Sequence, residues 1–272
     1  MVFQPVTPLS GYAGWRFLQR TLESQQSAFV QAQPVTRATD YFRKNIPQVR
    51  TADDLVNDRR LLSVALGAFG LDDDIKNKAF IRKILADGTI ADDALSNRLA
   101  DKRYQEFSRT FGFGDSPVPR TALSSFPDQI IARFEVRQFQ RAVGEQNNDL
   151  RLALNVEQGL SDINSATKSQ NAKWFSIMGN TPLRTVFQTA LGLPTGLASI
   201  DLDQQLDVFK QKAKSTFGTD DIGEIASPAN QEKLIRLFLV RTEAATISVS
   251  TGASTALTLL QASPRPLLLG AP

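Results

Sequence analysis

The sequence predicts an all-α fold, a multi-helix bundle with an internal duplication of a helical unit. Three observations carry this prediction. Between successive Gly and Pro residues, apolar side chains recur at helical spacing. Short polar residues stand where helix N-caps belong, and no segment reads as a strand. The third observation is repetition. Leu61–Leu71, LLSVALGAFGL, comes back as Leu183–Leu193, LRTVFQTALGL, with Leu, Val, Gly and Leu at the same offsets. Two later segments echo each other in the same order: Thr110-Phe111-Gly112 with Thr216-Phe217-Gly218, and Ile130–Arg137, IIARFEVR, with Leu234–Arg241, LIRLFLVR.

Taken in order, residues 1–35 form an arm and a first helix. Pro5 and Pro8 make residues 1–10 an extended or flexible arm. From Gly11 to about Gln33, Trp15, Leu18, Leu22 and Phe29 fall on a heptad-like stripe. That stripe is a candidate partner-binding face, and covering the chain's own core is the equally weighted alternative.

Residues 36–115 form the first helical half. A short helix from Thr36 to Asn45 stops at Pro47. Thr51 with Asp54 makes a capping box for a helix through the repeated stretch to Gly70. Asp72-Asp73-Asp74 read as N-cap residues at the positive end of the next helix, since they lack the alternating spacing of a calcium loop. That helix buries Ile75, Phe80, Ile81, Ile84 and Leu85. Another is expected from Asp92 to Phe111, with Asp101-Lys102-Arg103 as an exposed charged patch.

The segment Gly112–Pro127, with three Pro and two Gly, holds the expected linker at 116–126, and residues 127–250 form the second half. It opens with Ser125 and Asp128 as a capping pair and Pro127 in the first turn. The long helix that follows would break near Gly144 or Gly159, and its polar segment Glu145–Asn148 would face solvent or a polar groove. Trp174 precedes the second copy and is a further candidate partner anchor, since Trp is favoured at interface hot spots. Asn180 caps that copy, Asp201 opens the most regular amphipathic helix, and Ser227-Pro228 starts a last helix to about Thr246. Residues 251–272 form a tail with one short helix and an extended end.

Composition excludes more chemistry than the motifs add. With no Cys and no His among 272 residues, disulfides are ruled out and the usual zinc, haem, copper and iron–sulfur ligands are missing. No metal site, cofactor or catalytic residue is therefore expected. The pI of about 9.2 rests on a formal charge of only +3, because almost nothing in the chain titrates near neutrality. Basic residues alternate with acidic ones, which argues against nucleic acid as partner. No apolar run reaches the roughly 18–20 residues of a membrane span, and the N-terminus lacks a cleaved-signal pattern. A cytoplasmic location, or export without a cleaved signal, follows as the expectation.

No Walker A, GxSxG or GxGxxG sequence is present. Ser165-Ala166-Thr167-Lys168 matches the serine–lysine pattern of penicillin-recognising enzymes, but without its partner motifs it is a chance match. Arg59 and Arg60 would bind an anion or, with greater weight, pair with Asp54 or Asp58.

The block from Asp54 to Asp115, including DLVNDRRLLSVALGAFGLDDDIKNKAFIRKILADG and NRLADKRYQEFSRTFGFGD, resembles a domain of unknown function from flagellated alphaproteobacteria. The likeness continues through QFQRAVGEQNNDLRLALN, Trp174-Phe175 and DLDQQLDVFK. Members of that family are often encoded among flagellar basal-body and rod genes. The resemblance implies a non-enzymatic structural or assembly protein associated with the flagellum, meeting rod, hook, basal-body or export proteins. A cytoplasmic regulator or export chaperone is the alternative.

Overall fold

Several helices in this chain begin where a short polar side chain accepts orphan N–H groups of the first turn. The computed structural model describes residues 3–166 and 169–262, and every regular element among them is helical. Residues 3–10 run back along α1 (Gly11–Val30). Buried Gln25 pins this arm, accepting from the Val6 N–H at 2.6 Å and donating to the Val6 carbonyl at 3.1 Å. α2 (Gln33–Asn45) carries Pro34 in its first turn. The helix expected from Thr51 to Gly70 is two, α3 (Ala52–Asn57) and α4 (Arg59–Ala68). The capping box at Thr51 and Asp54 forms. Asp58 then turns extended, at φ −91° and ψ 101°, and its carboxylate accepts the Arg60 and Leu61 N–H groups. This second cap inside the apolar run splits it.

The acidic run lies in a 3-10 turn at Asp72–Lys76 and does not cap α5 (Lys78–Asp87). Its carboxylates tie distant segments instead: Asp72 accepts from Gln138 at 2.7 Å and pairs with Arg141 at 3.0 Å, while Asp74 accepts from the Tyr104 hydroxyl at 2.6 Å. The span expected as one helix to Phe111 is α6 (Leu95–Arg98) and α7 (Arg103–Phe111). Asp101 causes the break by accepting both the Arg103 N–H and its guanidinium, so the charged triplet is not a plain surface patch. Within the 116–126 stretch, Thr121 is buried and donates to the Val49 carbonyl at 2.7 Å.

α8 (Phe126–Gln146) has Pro127 in its first turn. Ser125 already has helical angles and makes no side-chain cap, and Asp128 pairs with Arg43 at 3.2 Å. The break falls at Asn147, whose side chain accepts the Leu150 N–H at 3.0 Å and opens α9 (Asn148–Ala166). α10 (Gln170–Gly179), α11 (Thr181–Ala190), α12 (Leu202–Phe217) and α13 (Ile222–Ile225) follow. Asn180 and Asp201 cap α11 and α12 as the sequence indicates. α14 (Pro228–Ala262) runs well past the expected end at Thr246. The expected extended end beyond it lies outside the described residues.

The repeated stretches build the same structure twice. α4 and α11 are each ten residues long, and each closes on a glycine in the left-handed region, Gly70 at φ 67° and Gly192 at φ 66°. The Leu71 N–H reaches the Leu66 carbonyl at 3.0 Å, and the Leu193 N–H reaches that of Gln188 at 2.9 Å, the same closing bond in each copy. α4 packs chiefly on α8 and α11 on α14, so the third pair of matching segments also lies in matching places. One continuous core runs from Trp15 to Leu239 through both halves.

Substituting Ala at Gly70 or at Gly192 should cost about 1–2 kcal/mol each, because a Cβ is strained at positive φ; urea unfolding of the two variants measures it. Leu66→Asp should leave no cooperative unfolding transition, since Leu66 is fully buried and an aspartate there has no partner. A folded L66D protein would show that the stretch is not a packing centre.

Candidate functional site

The candidate partner anchors are core residues. Trp15, Leu18, Phe29 and Trp174 are 8% exposed or less, and Leu22 is half-buried against the same core. The α1 stripe is covered by α8, α9 and α14 of its own chain, and Phe29 meets the Phe139 ring edge-on at 5.7 Å. Trp174 donates to the Asp220 carbonyl at 2.9 Å and packs against Phe187 and Phe209. Helical spacing reports burial without saying whose surface does the burying, so the alternative reading of the stripe describes its position.

Arg59 and Arg60 do not pair with Asp54 or Asp58 among the described residues. Arg60 lies 3.6 Å from the Tyr41 ring centroid, and Asp58 is occupied by the Tyr41 hydroxyl at 2.7 Å and by backbone N–H groups. The polar segment Glu145–Asn148 sits at the exposed corner between α8 and α9, where Gln146 donates to the Pro5 carbonyl at 2.5 Å.

Where the halves meet, the chain leaves a cleft of about 660 Å³. Its floor is the end of α4, Ala68 and Phe69. α7 contributes Lys102, Arg103 and Arg109 with Glu106, and α8 contributes Arg133 and Arg137, one helical turn apart. The opposite wall comes from the second half: Gly159, Asp162, Ile163 and Ser165 near the end of α9, Ser176 of α10, and Asn180 at the cap of α11. A smaller cavity of about 180 Å³ shares Ala68, Arg133, Arg137 and Asp162 with it.

These charges are not all neutralised. Asp101 binds Arg103, whose guanidinium also donates to the Gly70 carbonyl at 2.5 Å and so finishes the end of α4. Glu106 holds Arg133 at 2.5 Å. Arg137 has no carboxylate in ion-pair contact among the described residues; it donates to Asn155 and to Gln140, both nearly buried. Burial pushes its guanidinium below the ordinary value, with Arg103 and Arg133 acting in the same sense against Asp162 and Glu106. Arg109 is exposed on the rim and makes no hydrogen bond or ion pair with a described residue. Burial, reinforced by Glu106, raises the Asp162 carboxyl above its usual range; Gln158 donates to it at 2.6 Å.

Ser165 also lines the cleft, with its hydroxyl donating to the Asp162 carbonyl at 3.0 Å. Thr167 and Lys168 of its motif lie outside the described residues. The cleft draws residues from five helices between positions 68 and 180, and reading segments one at a time misses it. The local signal is Arg133 with Arg137, two cations at i,i+4 on one helix.

The fold and the cleft together define a class: an all-helical, duplicated protein with a basic cleft at the junction of its repeats. The chain belongs to the family of proteins of unknown function DUF1217, whose model matches residues 68–230 and so contains every cleft residue. It is similar to a protein of Agrobacterium tumefaciens solved by X-ray crystallography in a structural genomics programme. The two are 27% identical with a TM-score of 0.71, over 88% of this chain and 98% of that one. No curated protein matches the sequence.

Asp162→Asn should be more stable than the wild type at pH 7. The raised folded-state pKa means that ionisation costs stability as pH rises through it, and the cost is absent below the unfolded value of about 3.9. Urea melts at pH 7 and pH 3.5 check this: the advantage of the variant should vanish at the lower pH.

Proposed function

We propose that this protein is a non-enzymatic structural or assembly component associated with the bacterial flagellum, acting through contacts with other proteins. Two things support the reading: the resemblance to a family encoded among flagellar genes, and the behaviour of α14, which is the observation that carries it.

α14 is 35 residues long, about 52 Å at 1.5 Å per residue. Its early turns are core, with Leu234, Ile235, Phe238 and Leu239 buried. It runs antiparallel to α1: Glu232 accepts from Tyr12 at 2.7 Å and from Trp15 at 3.3 Å, while Glu243 lies beside Gly11 at the start of α1. From Glu243 to Thr246 every side chain is exposed. The backbone nevertheless stays helical to Ala262, and the sequence carries no charge between Glu243 and Arg265. In proteins a helix draws most of its stability from packing rather than from intrinsic propensity. A helix whose last turns carry no charge is suited to pack on another protein.

Among the described residues no helix is long and apolar enough to cross a membrane. Contact with a neighbouring protein, such as a rod, hook, basal-body or export component, is the reading that uses this helix.

Deleting the gene should impair swimming or basal-body completion, scored on motility agar and by electron microscopy of purified basal bodies. Normal motility with intact basal bodies would sink the proposal. The wild-type protein should co-purify with hook–basal bodies, whereas a truncation after Thr246 should not; recovery solely in the soluble fraction would point to the regulator or export chaperone.

A further inference from the structure

The duplication supplies an internal control on the cleft. Aligned on Thr-Phe-Gly, Arg103 and Arg109 of α7 correspond to Phe209 and Ser215 of α12. Aligned on IIARFEVR and LIRLFLVR, Arg133 corresponds to Leu237 and Arg137 to Arg241. Three of the four cleft arginines are thus uncharged in the copy. The fourth, Arg241, is exposed and donates to the Thr189 carbonyl at the end of α11, at 3.3 Å. The same helix pairing is built in the second half without a cation at Leu237, so the α8 fold does not require one at Arg133. Gathering charge on the first-half wall serves something other than packing.

The surplus has a definite size. Asp101 answers Arg103 and Glu106 answers Arg133, which leaves Lys102, Arg109 and Arg137 facing the single carboxylate of Asp162. A partly buried guanidinium with no carboxylate partner is held at an electrostatic cost. Here Asn155 and Gln140 use two nearly buried amides to fix Arg137 in place. An uncompensated charge so positioned is a binding group awaiting a counter-ion. A net surplus of about two positive charges matches a dianion better than a monocarboxylate, and guanidinium forks match phosphoryl oxygens. The volume of about 660 Å³ exceeds what a bare phosphate fills, and the Phe69 ring with Ile163 gives the remaining space an apolar side.

We propose that the cleft between the repeats binds a small organic phosphate, its phosphoryl group held by Arg109, Arg137 and Lys102 and its remainder lying against Phe69 and Ile163. Asp162, opposite the cations, limits affinity for anions and favours a ligand that offers it a hydrogen-bond donor. This site is independent of α14 and of any flagellar role, so its test neither needs nor threatens that reading.

The test is isothermal titration calorimetry and thermal unfolding of the full chain with pyrophosphate as probe, at constant ionic strength set with sodium chloride. Wild-type protein should bind pyrophosphate saturably and melt at a higher temperature in its presence. Arg109→Gln and Arg137→Gln should each weaken binding about tenfold or more, the loss of a charge-assisted contact. Asp162→Asn should tighten it, and Lys212→Gln, an exposed cation on α12 away from the cleft, should leave it unchanged. Arg109 has no described partner to lose, so its variant remains folded and informative even where Arg137→Gln does not. No saturable binding at 10 mM (about the weakest affinity worth a site), equal weakening by Lys212→Gln, or preference for a hexaglutamate peptide over pyrophosphate would each overturn the proposal. The last result would make the cleft a seat for an acidic protein segment.

Discussion

The structure depends on how closely α8 approaches α4. Gly67 permits that approach: a Cβ there would lie 2.8 Å from the Gln138 amide nitrogen and 2.9 Å from the Phe134 ring. With nothing projecting from Gly67, α8 lies across the end of α4, and Phe69 is left beneath the α8 arginines. The Arg133 guanidinium carbon stands 5.4 Å from the Phe69 ring centroid. The same contact fixes the 3-10 turn that follows α4, because Gln138 and Arg141 of α8 both engage Asp72. Core packing and the cleft floor are therefore one feature. A side chain at Gly67 would push α8 outward and displace Arg133 and Arg137 with it.

In the second copy Thr189 stands where Gly67 stands in the first, by the alignment of LLSVALGAFGL with LRTVFQTALGL. The α11–α14 pair retains the closing turn and the apolar seam without that glycine. Duplication preserved what folding needs, the cap, the left-handed glycine and the Leu–Val–Leu face. It did not preserve the charge pattern on the outer flank. Divergence of that kind separates residues that hold the fold from residues that do something with it, without recourse to other sequences.

Much of the fold was legible from the chain because its strongest signals are local. Thr51 with Asp54, Asn180 and Asp201 mark helix starts through bonds that span two or three residues, and the closing glycines mark ends the same way. The failures share a cause. Asp58 and Asp101 each sit inside an apolar or helical pattern, and each breaks it by taking backbone N–H groups at i+2, a competition that hydrophobic spacing does not register. Trp15 was ambiguous because a heptad stripe looks alike whether its partner is another chain or the next helix, and Trp174 because a Trp suits an interface and a core alike. The cleft was the least legible feature. Lys102, Arg109, Arg133, Arg137 and Asp162 each read as an ordinary charged residue on a helix, and only the tertiary fold shows that they converge.

The absence of His and Cys, read at first as a loss of chemistry, gives the cleft a particular electrical character. Guanidinium groups stay charged far above neutrality even when burial lowers them, as at Arg137. Among the groups lining the cleft, Asp162 is the carboxylate that burial moves upward. When Asp162 takes up a proton the lining becomes more positive, and a neutral carboxyl can donate a hydrogen bond to an anion instead of repelling it. Attraction for an anion thus rises as pH falls through the raised pKa of Asp162. A cleft whose charge came from imidazole would instead lose its positive potential across neutral pH. Arginine and lysine on the cationic wall make a site that holds its charge across the physiological range, with one acidic group opposite to tune it.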